Sequence, residues 1–433
     1  MSRPADALRT PEMEPATHAQ LPRPDFDDAA AWVAEHLGDL TLEGPSGVVA
    51  SPRFRGGQTA ADAALEAFDV SGYARSRSGV WPPSRRGASG LSPYIRYGLL
   101  PLPRVWRAAG EGGDARDVKK FQDELLWQEY ARHLYARVGG GMRSPLRYDV
   151  PKREPWTDPW PREMGCMDAV VGELERDGWA VNQTRMWLAS QWTIRAGHPW
   201  RDGDDAMFAH LLDGSRAANR LGWQWTVGAG TGKPYGFSRW QVEKRAPAFC
   251  KRCALREACP IQDWPEEQRG SKVDEDPRVR RDPDVDGTTG PRDVAIGRWG
   301  GASDDPETPE AVWLTAESLG DADPALAAHP DLPAVFVFDA PLLARLRLSG
   351  KRLVFLAETL ADLASRRTVE LHRGDPVAVL SGRAVAATYA PIPGWRRRAS
   401  SIAPVEVHPW PWLAWPRDGS LASYSAWRKQ LPR

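Results

Sequence analysis

The chain has 433 residues, enough for two or three domains, and 42% of them are hydrophobic, an ordinary fraction for a globular protein. Its 57 Lys and Arg residues balance 57 Asp and Glu residues, so contact with nucleic acid would need a local basic patch. No apolar run has the length of a membrane span, and the N-terminus lacks the apolar core of a signal peptide. We therefore expect a cytoplasmic protein with no membrane contact.

The first two thirds of the chain divide into three regions by composition. Residues 1–55 form a Pro-rich extension with one short amphipathic helix near residues 27–37. Residues 56–263 predict helices almost throughout, because apolar residues recur every three or four positions. Residues 264–291 are charged and rich in Asp-Pro, which is typical of a linker.

The hydrophobic period changes after this linker. Strands are predicted by four short apolar or alternating runs, "AVWLTAES", "AVFVFDA", "TVELHRG" and "VAATYA". A helical stretch, "PLLARLRLSGKRLVFLAETLADLASR", lies between the second and the third. Residues 292–417 therefore predict a Rossmann-like α/β domain with a parallel sheet, followed by a tail at residues 418–433. The expected fold class is an all-helical domain followed by an α/β domain.

Tryptophan is abundant, with 21 residues, and many lie near the segment "LLDGSRAANRLGWQWTVGAGTGKPYG". Rings in such number either fill large cores or handle flat aromatic ligands and electrons. For any single tryptophan, core packing is the commoner role.

The four cysteines form a second pattern. They are Cys166, Cys250, Cys253 and Cys259. In a cytoplasmic protein, four such thiols favour a metal site over disulfides. A C-x2-C-x5-C run followed by Pro260, together with one remote cysteine, suits either tetrahedral zinc or a 4Fe-4S cluster. The spacing alone does not choose between them.

Seven segments together resemble the photolyase/cryptochrome family. In the order and spacing of that family's helical flavin-binding domain, the chain contains "GGQTAADAALEAF", "SGYARSR", "GASGLSPYIRYGLL", "ELLWQEYARHL", "GWAVNQTRMWLAS", "HPWRDGDDAMFAHLLDGSRAANRLGWQW" and "AGTGKPY". The later α/β region resembles the family's antenna-type domain, which usually comes first. The resemblance therefore implies a circularly permuted member, and permutation is tolerated where the original termini lie at the surface.

The resemblance also implies a set of FAD contacts. Backbone N–H groups and hydroxyls at the start of a helix would hold the pyrophosphate, where the helix dipole favours negative charge. The implied cofactor-binding residues are Tyr73, Ala88, Ser89, Gly90, Leu91, Ser92, Phe121, Gln128, Arg185, Asp213, Ser215 and Asn219. Phe121, Gln128 and Ser215 replace the family's usual Trp, Arg and Asp.

Asn219 and two tryptophans are implied to take part in the flavin chemistry. Asn219 would lie beside flavin N5, where an amide favours the fully reduced flavin. Trp223 and Trp200 match the first two members of the family's electron-hopping chain. Candidates for the third member are Trp156, Trp160 and Trp192, and core packing is the favoured role of Trp192.

A pocket for a flipped-out lesion is implied as well, because enzymes of this family act on bases taken out of the stack. Trp127 and Trp225 would form its aromatic walls, and Glu124 would hydrogen-bond the radical anion formed on the lesion. The implied substrate-binding residues are Arg77, Trp127, Asn182, Gln183, Met186 and Trp225. No His lies in "GWAVNQTRM", which favours cyclobutane dimers over (6-4) photoproducts.

One bacterial branch of the family carries a 4Fe-4S cluster on a similar set of cysteines, so the resemblance favours that cluster, with zinc as the alternative. The predicted protein is a monomeric, deoxyribodipyrimidine photolyase-like lyase that uses light and FAD to split cyclobutane pyrimidine dimers in damaged DNA. The alternatives are a cryptochrome-like blue-light photoreceptor and a flavoprotein with neither activity. No motif identifies an antenna pigment.

Overall fold

The computed structural model describes residues 18–266, 268–291, 295–296 and 307–431. The helices up to residue 143 are α1 (Ala29–Leu37), α2 (Gln58–Glu66), α3 (Tyr73–Ser76), α4 (Ser92–Arg96), α5 (Leu102–Gly110) and α6 (Ala115–Val138). Those between residues 165 and 252 are α7 (Gly165–Asp177), α8 (Asn182–Ser190), α9 (Trp200–His210), α10 (Arg216–Thr226), α11 (Arg239–Arg245) and α12 (Pro247–Arg252).

The rest of the described chain alternates helices with strands. Its helices are α13 (Val285–Thr289), α14 (Pro324–Ala328), α15 (Ala340–Leu346), α16 (Gly350–Leu363), α17 (Pro376–Leu380), α18 (Trp395–Ile402) and α19 (Tyr424–Arg428). The strands are β1 (Ala19–Leu21), β2 (Ala295–Ile296), β3 (Ala311–Leu314), β4 (Ala334–Asp339), β5 (Val369–Gly374), β6 (Val385–Thr388) and β7 (Glu406–His408). The predicted fold class, a helical region followed by an α/β region, is confirmed.

The longest helix, α6, runs through the helical region. Its first turn is capped because the Asp114 carboxylate accepts hydrogen bonds from the backbone N–H groups of Arg116 and Asp117. Helices α3, α5 and α10 pack against it. Helices α6 and α10, which carry many of the predicted site residues, therefore belong to one packed unit. None of the described helices combines the length and apolar character that a bilayer crossing requires.

The α/β region contains a seven-stranded sheet in the order β1-β5-β4-β3-β6-β7-β2. Strands β3 to β7 are parallel to one another, and β1 and β2 pair antiparallel at the two edges. Every residue of β3 and β6 is buried, as expected for central strands covered on both faces. The chain moves outward from β3 to β5 and then returns to β6, so the sheet has a topological switch point between β3 and β6.

Segments outside the two regions are packed onto them. Strand β1 adds to the sheet edge through β5, and α1 lies against α16, so part of the N-terminal extension joins the α/β region. The segment predicted as a linker contains α13, and Trp412 donates from its indole nitrogen to the carbonyl of Thr289 at 3.2 Å. The tail contains α19, which packs on α6, and the hydroxyl of Tyr130 donates to the carbonyl of Leu421 at 2.7 Å.

Direct polar contacts join the helical region to the sheet region. Arg352 on α16 is buried and donates to the carbonyl oxygens of Phe208 at 2.8 Å and Gly214 at 2.6 Å. Gly98 has a φ of +74°, and a Cβ there would lie 2.2 Å from the carbonyl oxygen of Glu317. Only glycine fits this close approach of two backbones. The two regions therefore meet at fixed points.

Candidate functional site

A buried acid on α9, Asp204, organises the floor of the candidate flavin site. Its Oδ2 accepts hydrogen bonds from Arg216 at 3.0 Å and from Arg220 at 3.1 Å. Its Oδ1 accepts from the Asn219 amide at 2.6 Å. These three partners reach one carboxylate because they lie three and four residues apart on α10, on one face of the helix. Burial raises the pKa of Asp204, and the two guanidiniums oppose that rise.

Asp213 lies between α9 and α10 with one side of its carboxylate open to a ligand. Arg185 donates to its Oδ2 at 2.7 Å and also to the carbonyl of Ala180 at 2.8 Å. The Oδ1 atom is buried and has no partner among the described residues. A buried acceptor without a donor is costly, so this oxygen fits a hydrogen-bonding group of a bound cofactor. The side chain of Ser215, at the start of α10, makes no capping hydrogen bond.

The predicted phosphate segment precedes α4. Gly90 has a φ of +71°, in the left-handed region that favours glycine. The Ser89 hydroxyl accepts a hydrogen bond from the backbone N–H of Leu91 at 3.4 Å, and the Ser92 hydroxyl accepts one from the Trp179 indole at 3.0 Å. Ala88 is half-buried beside them. The segment is therefore a turn held in place by its own hydroxyls.

Aromatic rings cover the side of the candidate site nearest α3. Tyr73 is buried, and its ring meets that of Phe121 edge to face, with centroids 5.0 Å apart. Phe68 packs on Phe121 at 4.7 Å. Burial raises the pKa of the Tyr73 phenol, and the charge on Glu124 adds to the rise. Gln128 is half-buried two turns along α6 from Phe121, on the same face of the helix.

Three indoles lead from the interior toward the surface. The ring centroids of Trp223 and Trp192 lie 6.5 Å apart, and those of Trp192 and Trp160 lie 4.9 Å apart. Trp223 is 2% exposed, whereas Trp192 and Trp160 are half-buried. A Cβ at Gly203 would lie 2.2 Å from Trp223 and 2.9 Å from Trp192. Helix α9 therefore packs closely over the contact between these two rings. Trp200 is buried one helical turn before Gly203.

The outer part of the candidate site carries exposed charge. The Oε1 of Glu124 on α6 lies 3.0 Å from Arg77 and 3.1 Å from Lys120. Trp127, one turn further along α6, is 38% exposed. Its ring stacks on that of Tyr424 in α19, with centroids 4.1 Å apart and an angle of 11° between the planes. One face of this predicted pocket wall is therefore covered by the tail.

The second predicted wall, Trp225, is 40% exposed at the end of α10. Its ring lies 5.4 Å from that of Tyr235, whose hydroxyl accepts hydrogen bonds from Gln183 and Gln241, both at 3.0 Å. The structure thus brings Gln183 and Trp225 together through Tyr235.

Two other predicted contacts lie beside Gln183 on α8. Asn182 is exposed at the start of the helix, and Met186 is half-buried one turn later on the same face. Arg245 interacts electrostatically with both Tyr235 and Arg77, so the walls on α6 and α10 are close to a common cation.

The four cysteines line one cavity with about 350 Å³ of empty space, part of it open to solvent. The backbone N–H of Gly165, beside Cys166, donates to the sulfur of Cys253 at 3.4 Å. Burial raises the pKa of Cys166 to about 12, and the other three thiols add to the rise. Burial also raises the pKa of Cys250 to about 11. A metal ion bound here would therefore have to displace the protons of Cys166 and Cys250.

Comparison with known proteins identifies the helical region. A family profile described as the FAD binding domain of DNA photolyase matches residues 121–246. Residues 121–246 are therefore similar to the FAD-binding domain of the photolyase family. The match supports FAD as the cofactor, and it includes α10 with Asn219 and Trp223.

Curated relatives of the chain have photolyase names. A deoxyribodipyrimidine photo-lyase of Synechococcus is 32% identical over 199 residues, which cover 40% of this chain and 39% of the relative. One from Thermus thermophilus is 32% identical over 230 residues, covering 49% and 50%. The chain thus spans half or less of the length of these relatives.

Solved structures of the same family are similar to the chain over a comparable share. A bacterial class III photolyase from Agrobacterium tumefaciens is 26% identical, with a TM-score of 0.40, and the match covers 46% of this chain and 44% of that one. A cryptochrome from Synechocystis is 21% identical, with a TM-score of 0.42, and the match covers 49% and 48%.

Three residues of the candidate site were not predicted from the sequence. Asp204 could have been predicted from the sequence. Basic and amide side chains at residues 216, 219 and 220 lie on one helix face, and such a group needs an acidic partner when it is buried. Tyr235 lies in the quoted segment "AGTGKPY" but without a spacing that singles it out. Tyr424 has no local signal, since it reaches Trp127 across about 300 residues of chain.

Proposed function

We propose that the chain is an FAD-dependent, light-driven lyase that splits cyclobutane pyrimidine dimers in DNA. The observation that supports this most is the placement of two residues on α10. Asn219 is 8% exposed in the floor of the flavin site, and Trp225 is 40% exposed at the pocket mouth. Six residues of α-helix separate them, a rise of about 9 Å. A flavin beside Asn219 would therefore lie a short distance from a lesion against Trp225.

The inner residues would hold FAD. The open Oδ1 of Asp213, kept in place by Arg185, would accept a hydrogen bond from the cofactor. Backbone N–H groups of residues 88–92 would meet its phosphates at the start of α4. Asn219 is oriented by Asp204, which accepts from its amide and leaves the amide oxygen free of that contact. When bound and reduced, FAD supplies an electron after excitation by blue light.

The outer residues would hold the lesion. Trp225 offers an exposed ring for stacking. Asn182 and Met186 lie on α8 near Gln183, which donates to the Tyr235 hydroxyl next to Trp225. Glu124 would hydrogen-bond the base edges through the carboxylate that now pairs with Arg77 and Lys120. Because these ion pairs are only half-buried, exchanging them for contacts to a base and a phosphate costs little. Trp127 would contribute through the face or edge that Tyr424 does not cover.

Repair of a defined lesion tests the proposal. The purified protein, with its FAD fully reduced, is mixed with an irradiated thymine oligomer and kept in blue light or in darkness. We expect loss of cyclobutane dimers in the light only, measured by chromatography of the oligomer. Repair of (6-4) photoproducts alone would contradict the assigned substrate. Photoreduction of tightly bound flavin without repair of either lesion would favour the cryptochrome-like photoreceptor.

The indole contacts support a route for reducing the flavin, from Trp160 through Trp192 to Trp223. The resemblance implies Trp200 as the second ring, and the two routes predict different variants. For the route through Trp192, Trp192→Phe should slow photoreduction of FAD at least about tenfold, or 1.4 kcal/mol of barrier, with Trp200→Phe closer to the parent. A larger effect of Trp200→Phe than of Trp192→Phe would instead support the route through Trp200. Flavin content measured by absorbance serves as the control for cofactor binding.

A 4Fe-4S cluster on the four cysteines is part of the proposal. The donor set is all sulfur and the cavity is shared by all four residues, which fits either iron-sulfur or zinc. Zinc–sulfur bonds of about 2.3 Å would bring the sulfurs within about 4 Å of one another. Among the described residues, the group whose donor atoms all lie within 4.8 Å contains no cysteine. The wider spacing favours the larger cluster.

Metal analysis distinguishes the two cases. The purified protein should contain about four iron atoms per chain, and Cys253→Ala should remove a broad visible absorption beneath the flavin bands. A result of one zinc atom and no iron per chain would show that the four cysteines bind zinc and not a 4Fe-4S cluster. The order of the two regions, which would make the chain a permuted member of its family, also belongs to this proposal, as do its monomeric state and cytoplasmic location.

A further inference from the structure

Three side chains at one side of the sheet bring two imidazoles to a single carboxylate oxygen. Glu406 and His408 lie two residues apart on β7, so their side chains project from the same face of the strand. His329 directly follows α14. Its Nε2 lies 3.0 Å from Oε1 of Glu406, and Nε2 of His408 lies 2.5 Å from the same oxygen. All three donor atoms fall within 4.8 Å of one another.

Hydrogen bonding accounts for only part of this cluster, because Nε2 of His329 shares a hydrogen bond with Oε1 of Glu406 and Nε2 of His408 does not. His408 is 4% exposed, and its Nε2 has no hydrogen-bond partner among the described residues. The contact with Glu406 is short in distance but lacks the alignment of a hydrogen bond. A buried nitrogen without a hydrogen bond is unfavourable. Its orientation toward the carboxylate is what an ion held between the two groups would require.

We propose that His329, Glu406 and His408 bind a divalent first-row transition-metal ion, with Zn²⁺ as the representative. Two imidazole nitrogens and one carboxylate oxygen form the protein ligand set of three-ligand zinc and iron(II) sites. Mg²⁺ and Ca²⁺ prefer oxygen ligands throughout, so the two imidazoles select against them. Metal–ligand bonds of about 2.0–2.2 Å separate neighbouring donors by about 3 Å. The distance between His329 and Glu406 is 3.0 Å, whereas the 2.5 Å between His408 and Glu406 would widen by about 0.5 Å around a bound ion.

The remaining coordination positions are available to water. The side chains of His329 and Glu406 are 21% and 15% exposed, whereas that of His408 is 5% exposed. One ligand is therefore buried and two border the solvent. This arrangement leaves an ion accessible from outside while its innermost ligand stays fixed by the fold.

The ligands are supported by rigid backbone. β7 pairs with β6 on one side and with β2 on the other. Arg367 donates to the carbonyl oxygens of His329 and Leu332, which holds the loop after α14. Directly beyond His408, the ring of Trp410 packs 4.4 Å from the Arg132 guanidinium on α6. A bound ion would join the end of α14 to β7 where the sheet region meets the helical region.

Zinc binding to the full-length protein tests this site independently of any repair activity. Loosely bound metal is removed with a chelating resin, and Zn²⁺ is then titrated by calorimetry while the melting temperature is followed. We expect the parent to bind one equivalent more than His329→Ala, which keeps all four cysteines. Affinity at this site should fall at least about tenfold in Glu406→Gln, since even indirect partners change metal affinity about 10–100-fold.

A matched control is His36→Ala, because His36 on α1 has a side-chain exposure of 19%, close to that of His329. This variant should bind zinc like the parent. The zinc-dependent rise in melting temperature should be absent in His329→Ala and in Glu406→Gln, and Mg²⁺ should produce no rise in the parent. Equal zinc stoichiometry in the parent and both variants, or an equal response to Mg²⁺, would overturn the proposal.

Discussion

The acids of the helical region occupy two contrasting settings. Asp204 has a side chain that is 2% exposed, and its arginine partners on α10 are 17% and 5% exposed. Glu124 is 28% exposed, and its partners Arg77 and Lys120 are 32% and 34% exposed. The buried group cannot lose a member without leaving a charge out of water, whereas the exposed group can exchange partners with little cost. A resident cofactor suits the first setting, and a ligand that arrives and departs suits the second.

The largest expected effect comes from breaking the buried group. Asp204→Ala removes the acceptor of the buried Arg220 guanidinium and one of the two carboxylates that pair with Arg216, and it should lower the free energy of unfolding by about 3–5 kcal/mol. Urea denaturation followed by circular dichroism measures the change. The adjacent Asp205→Ala is the control, because its side chain is 39% exposed and its loss should cost under about 1 kcal/mol. Equal losses of unfolding free energy in the two variants would contradict the proposed difference between buried and exposed acids.

The exposed setting should show the opposite behaviour. Trp225→Ala should weaken binding of dimer-containing DNA by about 1–3 kcal/mol, as expected for loss of a stacking ring, with little change in unfolding. Fluorescence anisotropy with a labelled oligomer gives the affinity. Trp156→Ala removes an indole that is 56% exposed elsewhere and should bind like the parent. A drop in stability matching that of Asp204→Ala would place Trp225 in the core instead.

The exposed carboxylate should matter for chemistry more than for structure. Glu124→Gln keeps the shape of the side chain but replaces the carboxyl group that would hydrogen-bond the lesion under the proposed function. We expect a lower yield of repaired dimers per absorbed photon, with a change in unfolding free energy below about 1 kcal/mol. Glu175→Gln alters a carboxylate that is 49% exposed and paired with Arg162, and should repair normally. An unchanged yield in Glu124→Gln would deny this residue its role.

The smallest effect concerns a single phosphate contact. If Arg77 meets the DNA backbone, Arg77→Gln should reduce the slope of log affinity against log salt by about 1. Affinities measured at several salt concentrations give the slope. Arg162→Gln serves as the control, since this side chain is 44% exposed and pairs with Asp168 and Glu175. Equal slopes in the parent and in Arg77→Gln would show that the exposed group does not contact phosphate.

Local patterns in the sequence predicted much of this architecture. The four apolar runs became β3 to β6, because buried parallel strands must be apolar on both faces. The single helical stretch after β4 is in fact two helices, α15 and α16, separated where Arg347 takes a φ of +47°. The four cysteines also gather as their spacing indicated, although 84 residues separate the first from the second.

Contacts between distant segments were beyond those patterns. Nothing near Tyr424 indicates that it stacks on Trp127, because the stacking depends on how α19 docks. The indole of Trp192 was predicted to pack in the core, and it does pack against the main core cluster. The sequence did not predict its ring contacts with Trp223 and Trp160. Helix periodicity gives the face on which a side chain lies but not which element packs against that face.

The pairing of β1 with β5 has a consequence for how the chain is made. His18 and His372, 354 residues apart, share a contact of 2.9 Å beside this pair of strands. Since domains fold from the N-terminus as they leave the ribosome, β1 and α1 emerge long before their docking surface exists. The helical region is translated before β5 and α16. The first strand must therefore remain undocked until β5 and α16 have been translated. Limited proteolysis of ribosome-stalled chains should cleave the segment before α1 until the whole of β5 has left the ribosome.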